Sequence, residues 1–380
     1  MECAAGIWIE RRIGAGGGGG EYHIGGARDI IRIMRMVYLA FLVMSFVDGI
    51  GVAMSRMDGS TMLPAWAKII LPSLLFVWFF VLSVPAAGWS RKYGRKEMSV
   101  LALALTGVAL VLPVFGVWCP VGAYFLSFGL LGAANVILQV SLPAVAVSAV
   151  SEKRPAGVLM SCVTWKTAMS AVLPLFFTVA AAICDWRIVF PIGAICAFGV
   201  AYGMGRVSLV KSEISDVDVG MFGALGLLRD AIVFCIVLGF AIAVCLDVML
   251  NLAIPQVLKA AYGWSESAAG IGCSVYFCAK IPAMQLGAVI LSRTSPFRLL
   301  LPSIGLVALG LCLFWCSLPV GVFLVAILLL SVGSANLYGI VFGLMVERHP
   351  NQAAESSALL VMTISSGAFA SLLLEVFFPG

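Results

Sequence analysis

Charge is what this chain has least of. Of its 380 residues 11% are charged and 62% are hydrophobic, and the mean hydropathy is +1.10. A soluble domain carries about 25% charged residues, so a water-exposed globule is excluded. Histidine is nearly absent: His23 lies in the polar first stretch and His349 in a linker, neither with partners at metal-ligand or acid–base spacing. The eleven cysteines include no CxxC pair and most sit in apolar runs. They are expected to be small buried hydrophobes, not a disulfide framework or a metal site. The run Gly16 to Gly20 lacks the Lys-Ser/Thr that would make it a phosphate loop. The net charge of +5 is spread over short linkers, so it bears on topology and not on nucleic acid. No cofactor or metal is expected, and a membrane-embedded enzyme finds little support.

What is present is apolar length. A bilayer-spanning helix needs roughly 20 apolar residues, and eleven such segments can be drawn, at about 36–54, 66–87, 97–117, 121–149, 157–183, 188–209, 227–250, 267–292, 298–317, 319–346 and 356–378. Residues 1–35 are polar and glycine-rich, with no signal-peptide pattern, and are expected to be a disordered cytoplasmic tail; Met34 or Met36 could be the start in place of Met1. With that tail in the cytoplasm, fifteen Lys and Arg from Arg28 onward fall on cytoplasmic ends and linkers, and only Arg56, Lys68, Arg187 and Lys259 fall on the opposite side. The asymmetry predicts a multi-pass inner-membrane protein with a cytoplasmic N-terminus. Trp66, Trp89, Trp186 and Trp264 read as membrane-interface residues.

The chain also repeats itself. Gly333-Ser334-Ala335-Asn336 lies 201 residues after Gly132-Ala133-Ala134-Asn135, Ser274 and Phe277 lie 201 after Ser73 and Phe76, and Asp247 lies 199 after Asp48. Three agreements at nearly one offset predict two similar halves: 36–209, and 227–380 after a cytoplasmic linker at 210–226. Parallel repeats of this kind are a transporter architecture, with substrate held between the halves near the bilayer midplane. The sixth span should recur at about 388–409, beyond Gly380, so the twelfth helix is expected to be missing.

Charges inside spans mark functional paths because they are costly in a bilayer. Asp48, Asp247, Lys166 and Lys280 are four such groups and sum to zero. Paired they are tolerable where each alone is not, and their positions favour Asp48 with Lys166 and Asp247 with Lys280. Asp48 is the stronger proton carrier, being followed by Gly49-Ile50-Gly51, which loosens the helix. Asn251 is one turn beyond Asp247. Asn135 and Gln139 share one face of the fourth span, with Asn336 the repeat's counterpart of Asn135. Amides supply donors and acceptors that suit the hydroxyls of a neutral sugar, although they also serve as bonds between helices. Trp165, beside Lys166, could stack on a sugar ring.

The segment Gly88-Trp89-Ser90-Arg91-Lys92-Tyr93-Gly94-Arg95-Lys96 resembles the signature between the second and third helices of the major facilitator superfamily. Its basic half, Lys92, Gly94, Arg95 and Lys96, is intact, and Gly88 begins it. Arg91, however, stands where the family has an aspartate that latches the cytoplasmic gate, which puts the latch in doubt. Within the superfamily, Ser45-Phe46-Val47-Asp48, Phe80 to Pro85 and Ala134-Asn135 through Pro143 are similar to the fucose–glucose–galactose:proton symporters and their relatives in gut bacteria. In those symporters a glutamate lies four residues before the span-four asparagine; here Leu131 stands there. The resemblance implies an all-α transporter, monomeric in the lipid bilayer, that moves a monosaccharide with a proton. The rival of the same fold is a drug or metabolite exporter, which would have an aromatic, apolar cavity.

Overall fold

The computed structural model describes residues 27–48, 64–117, 119–150, 155–207, 223–264, 266–316, 319–350 and 352–369. Apolar composition leaves the backbone no solvent partner in a bilayer, so its N–H and C=O groups must pair within each segment. Among the described residues all regular structure is helical: α1 Ala27–Met44, α2 Ala65–Tyr93, α3 Arg95–Val111, α4 Pro120–Val150, α5 Pro155–Ile183, α6 Val189–Gly205, α7 Ala231–Tyr262, α8 Glu266–Arg293, α9 Phe297–Trp315, α10 Val320–Ser334, α11 Leu337–Arg348 and α12 Ala353–Thr363. Nine segments among these residues are long and apolar enough to cross a membrane, α10 and α11 counting as one. The chain is a multi-pass membrane protein. Its outer helices expose apolar side chains such as Ile195 on α6 and Leu301 on α9, as lipid contact allows.

Four boundaries differ from those read in the sequence. Helix α1 begins at Ala27, inside the stretch expected to be a disordered tail. Ile33, Met34 and Val37 form a buried stripe while Arg32 and Arg35 stay outside, so residues 27–35 are the start of an amphipathic helix. At its far end α1 tightens into a 3-10 turn at Ser45–Val47; Gly49 to Gly51 lie outside the described residues. Helix α7 runs on to Tyr262, past the boundary expected at 250, because the apolar sequence continues until Gly263, whose φ of 67° ends the helix. The tenth span is not continuous. It breaks at Ala335-Asn336, where Asn336 (φ −106°, ψ 1°) leaves helical geometry and donates its Nδ2 to the Ala283 carbonyl of α8 at 2.9 Å. Its counterpart Asn135 stays inside the unbroken α4. The fold is nonetheless the expected bundle of two helical repeats, with the span called at 356–378 described only to Phe369.

Trp186, in the turn between α5 and α6, is buried against Phe177 and Phe190. One further expectation fails. Among the described cysteines Cys162 is buried and Cys245 half-buried, while Cys196, Cys235, Cys278 and others lie on the outside of the bundle. A small apolar thiol is as acceptable to lipid as to a protein core.

Helix α4 lies at the centre of its half: 78% of its span is buried, against 17% for α9. The halves meet along two seams, α5 with α8 and α2 with α12. On the first, the glycine at 157 permits close approach, since a Cβ there would stand 2.8 Å from the Ser292 Cβ. Successive spans alternate in direction, so Arg91, Lys92, Arg95, Arg206, Arg293 and Arg348 gather at one end of the bundle. At this basic end a single buried core crosses between the halves, from Val37, Leu103 and Val145 to Val233, Phe342 and Leu359. A second joins Met160 of α5 to Met284 and Leu291 of α8. At the opposite end the cores are separate, one around Tyr124 and Phe128, the other around Tyr276 and Phe323. Among the described residues the seam is thus closed at the basic end, and no buried core bridges it at the other.

The stretch expected to be a gating loop is mostly helix. Gly88 and Lys92 lie within α2, Arg95 and Lys96 begin α3, and only Gly94 interrupts them. Basic residues in the last turn suit the negative end of α2, and Gly94 turns the chain with φ 105°, where a Cβ would collide with the Glu97 carboxylate. Lys96 donates to the Gly205 carbonyl at the end of α6 at 3.0 Å, tying α3 to that helix. Replacing Gly94 with Ala is expected to destabilise the protein by about 1–3 kcal/mol. Thermal unfolding in detergent would read this as a lower midpoint, and an unchanged midpoint would rule out the strained turn.

Candidate functional site

Both span aspartates have a lysine partner in their own half. At the end of α1, Asp48 lies 3.5 Å from the Lys166 Nζ of α5 and accepts a 2.6 Å hydrogen bond from the Ser170 hydroxyl one turn further on. Ser170 also donates to the Lys166 carbonyl at 2.9 Å. In the second half, Lys280 of α8 donates to Asp247 of α7 at 2.7 Å. Tyr276, one turn before Lys280, gives its hydroxyl to the same Asp247 oxygen and lies 3.0 Å from the Ser334 hydroxyl at the end of α10. The Lys280 Nζ sits 4.9 Å from the Tyr276 ring centre, a cation–π contact. Ser331 anchors Tyr276 by donating to its carbonyl at 2.5 Å.

These arrangements are unequal. The Asp247 carboxylate is held by an ammonium and a phenol, and its lysine is further held by the ring. The Asp48 carboxylate is held at short range by a neutral hydroxyl, and its lysine stands further off. Side-chain exposure is 37% for Asp48 and 31% for Asp247, so neither pair is sealed. The sequence pointed to neither Ser170 nor Tyr276, although each lies four residues from a span lysine and so on the same helix face. That spacing was the available signal.

Of the amides, Asn135 is 1% exposed, and neither its oxygen nor its nitrogen has a hydrogen-bond partner. Such an atom costs about 1–3 kcal/mol if nothing satisfies it. Asn336 is buried too; its nitrogen serves the Ala283 carbonyl, its oxygen is unpartnered, and α8 makes room for it with glycine at 287. Gln139 is half-buried, and its backbone carbonyl accepts from Ser357 of α12 at 3.4 Å, across the seam. Asn251 falls one turn past Asp247 in α7, and its side chain lies outside what is described. Trp165 touches the Tyr38 ring of α1 at 6.0 Å between centres, and the Tyr38 hydroxyl lies 3.3 Å from that of Ser161. Trp165 and Lys166 therefore both reach toward α1, while Asn336 packs on α8 below Lys280. Asn135 and Gln139 stay with α4.

The basic end carries an ion pair between the halves. Arg91, at the end of α2, forms a 2.5 Å ion pair with Glu355 at the start of α12, whose side chain is only 4% exposed. The pair joins the two halves, with the base on the signature segment and the acid on the other half. Glu355 escaped notice because it precedes the span drawn from 356. A second tie lies within the second half, where Arg348 pairs with Asp230, the residue that caps α7 by accepting from the Ile232 N–H at 3.0 Å. The Arg348 guanidinium is the main cause that holds the Asp230 carboxyl down at about 2.

Two repeats of membrane-spanning helices, meeting along paired seams and closed at one end, define the fold of the major facilitator superfamily. Among solved structures the chain is similar to a variant of the E. coli fucose:proton symporter FucP (TM-score 0.79, 15% identity, 92% of each chain). It is also similar to FucP in its outward conformation (TM-score 0.75, 15% identity, 92% of each chain). A third likeness is to the proton:xylose symporter XylE bound to 6-bromo-6-deoxy-D-glucose (TM-score 0.67, 14% identity, 93% of this chain and 90% of that one). No family model matches the chain, and no curated protein does.

Arg91→Glu is expected to leave two acids facing one another and to cost about 3–5 kcal/mol, the range for breaking a buried pair. Adding Glu355→Arg restores opposite charges and is expected to recover most of the lost thermal stability. A double variant no more stable than Arg91→Glu alone would remove the pair as a stabilising tie between the halves.

Proposed function

We propose that the chain is a secondary active transporter, not an enzyme, moving a monosaccharide across the bacterial inner membrane by alternating access with proton symport. The observation that carries this is the placement of two ion pairs inside spans, each with a lysine on a helix of the α5–α8 seam where the halves must move against one another. A pair that only fixed packing would not need a lysine from a helix of the moving seam. The similarity in fold to proteins named as fucose and xylose symporters supports the reading. With the N-terminus cytoplasmic, the closed basic end faces the cytoplasm and the separated cores face outward, a state ready to load from outside. The two repeats, the first from Ala27 and the second from about 227, would rock as units within a monomer.

In this reading Asp48 carries the proton, and Asp247 with Lys280 and Tyr276 holds the second half together. Trp165, Gln139 and Asn251 would meet the sugar. Asn135 and Asn336, closed off from solvent here, would satisfy their unpartnered atoms on substrate once the halves move. Lys92, Gly94, Arg95 and Lys96 would set the gate.

Uptake of labelled monosaccharides into vesicles, with and without a collapsed proton gradient, tests the function. Asp48→Asn is expected to mimic the protonated state, keeping exchange across the membrane while losing accumulation against a gradient. If Asp48→Asn still accumulates and Asp247→Asn does not, the coupling role moves to α7. Lys166→Gln or Lys280→Gln alone is expected to lower protein yield, and neutralising the paired aspartate as well to restore it, because the cost lies in the unpaired charge. If neither double variant recovers the yield lost by its single variant, the charge-balance account is wrong.

A further inference from the structure

We infer that the basic end opens along one seam only, α2 against α12, with the α5–α8 seam as the hinge, and that hydroxyls buried on the opening seam form the release path for a polyhydroxylated substrate. The inference rests on the transport reading above. Its basis is a set of hydroxyls that this state leaves unmatched. Elsewhere in the bundle a helical Ser or Thr turns back on a carbonyl three or four residues earlier, as Ser99, Thr106, Ser148 and Thr167 do. Ser83 and Ser90 of α2 and Ser356 of α12 do not. Each is at most 1% exposed, and its hydroxyl has no hydrogen-bond partner. A buried polar group without a partner is costly. Ser90 and Ser356 stand next in sequence to Arg91 and Glu355, so the cost falls beside the ion pair and opposes the closure that the pair favours.

These groups descend from the middle of the bundle. Helices α2 and α4 run in the same direction, and a Cβ at residue 132 would stand 3.2 Å from the Leu75 Cα. Counted from that contact, Asn135 lies about 4 Å, Ser83 about 12 Å and Ser90 about 22 Å toward the basic end. Asn135, itself unpartnered, heads the column, and the Gln139 carbonyl with Ser357 of α12 lies on the way. A hydroxyl both donates and accepts, so the column can hand a polyol from one partner to the next. The α5–α8 seam is built differently. Among the described residues neither of its helices has an unpartnered buried polar side chain, and Thr164 and Ser292 each donate to a carbonyl of their own helix at 2.8 Å. Met160, Met284 and Leu291 fill it, and a Cβ at residue 157 would stand 3.0 Å from the Ala288 carbonyl oxygen. Glycine brings α11 onto α5 as well, where a Cβ at residue 343 would stand 3.1 Å from the Ala156 Cβ. A dry, close-packed seam gains nothing by meeting water, whereas one lined with unmatched hydroxyls does.

Hydrogen–deuterium exchange of the purified full-length protein tests the hinge without a substrate. Parting the ion pair with Glu355→Gln, or with Arg91→Glu as a second variant, is expected to raise exchange at least tenfold in peptides from residues 83–93 and 353–363 and to leave those from 155–166 and 280–293 within twofold of wild type. Comparable gains on both seams, or no gain on the α2–α12 seam in either variant, overturn the inference. The release path is tested by combining Ser83→Ala, Ser90→Ala and Ser356→Ala in proteoliposomes, with labelled L-fucose, D-xylose, D-glucose and D-galactose as probes. The combined variant is expected to keep or raise the thermal midpoint, since it removes unmatched hydroxyls, and to lower the maximal uptake rate at least threefold with the half-saturating concentration within twofold. A lower midpoint means that the hydroxyls are already satisfied in this state, and an unchanged rate means that the sugar does not use them; either result overturns the path. If wild type takes up none of the probes, the monosaccharide reading and the release path fall together, and the exchange pattern alone decides the hinge.

Discussion

A charge in a hydrocarbon environment must have a partner, and the interior of this protein is arranged around that requirement. Asp48 and Asp247 occupy matching places in the two halves, and each is answered by a lysine from a neighbouring helix. Those lysines constrain the rest. Lys166 fixes α5 against α1, Lys280 fixes α8 against α7, and α5 and α8 pack on one another, so the two balanced pairs rest on the helices of one seam. Helices elsewhere can be chosen for apolarity alone. These four must also keep their polar atoms matched, and here the chain spends its tyrosine and serine hydroxyls.

The same requirement explains the basic end. Glu355 is nearly sealed, so its charge needs an opposing one, and Arg91 supplies it from the other half. In the superfamily signature that the segment resembles, an acid stands on the loop and bases elsewhere. Reversing both leaves the Coulomb attraction unchanged, which is why an arginine in the acid's place does not abolish the contact. The packing beneath is independent of sign. Val145, Val233 and Leu359 join the halves in one core whichever way the pair's charges run.

Much of this was legible in the sequence, and the parts that were not have physical reasons. Hydropathy located the spans because the bilayer imposes a length on each. The repeat located the two aspartates because they obey it. Counting span charges by half found both ion pairs. By contrast, the break at Asn336 depends on an amide reaching the Ala283 carbonyl of another helix, and the identical amide at Asn135 breaks nothing. Local sequence cannot distinguish the two. The early start of α1 was lost behind a glycine-rich stretch that drew Ile33 and Met34 into a supposed tail, although their spacing with Val37 is that of a buried helix face. Arg91 and Glu355 are far apart in sequence and outside the drawn spans, so neither repeat nor periodicity links them.

The lysines depart from the symmetry that the aspartates keep. Counting by the repeat offset, Lys280 would answer to Phe79 in α2, and Lys166 to Gly367 past the end of α12; neither carries charge. A two-fold axis relating the halves exchanges α5 with α12 and α8 with α2, and so carries one seam onto the other. Both lysines nonetheless stand on the helices of one seam while the Arg91–Glu355 pair joins the helices of the other. In the transport cycle proposed above, opening at the basic end would separate Arg91 from Glu355 but would not need to separate either lysine from its aspartate, since each of those pairs is internal to a half. On that proposal one seam would carry the contact that breaks, and the helices of the other would carry the charges that stay balanced.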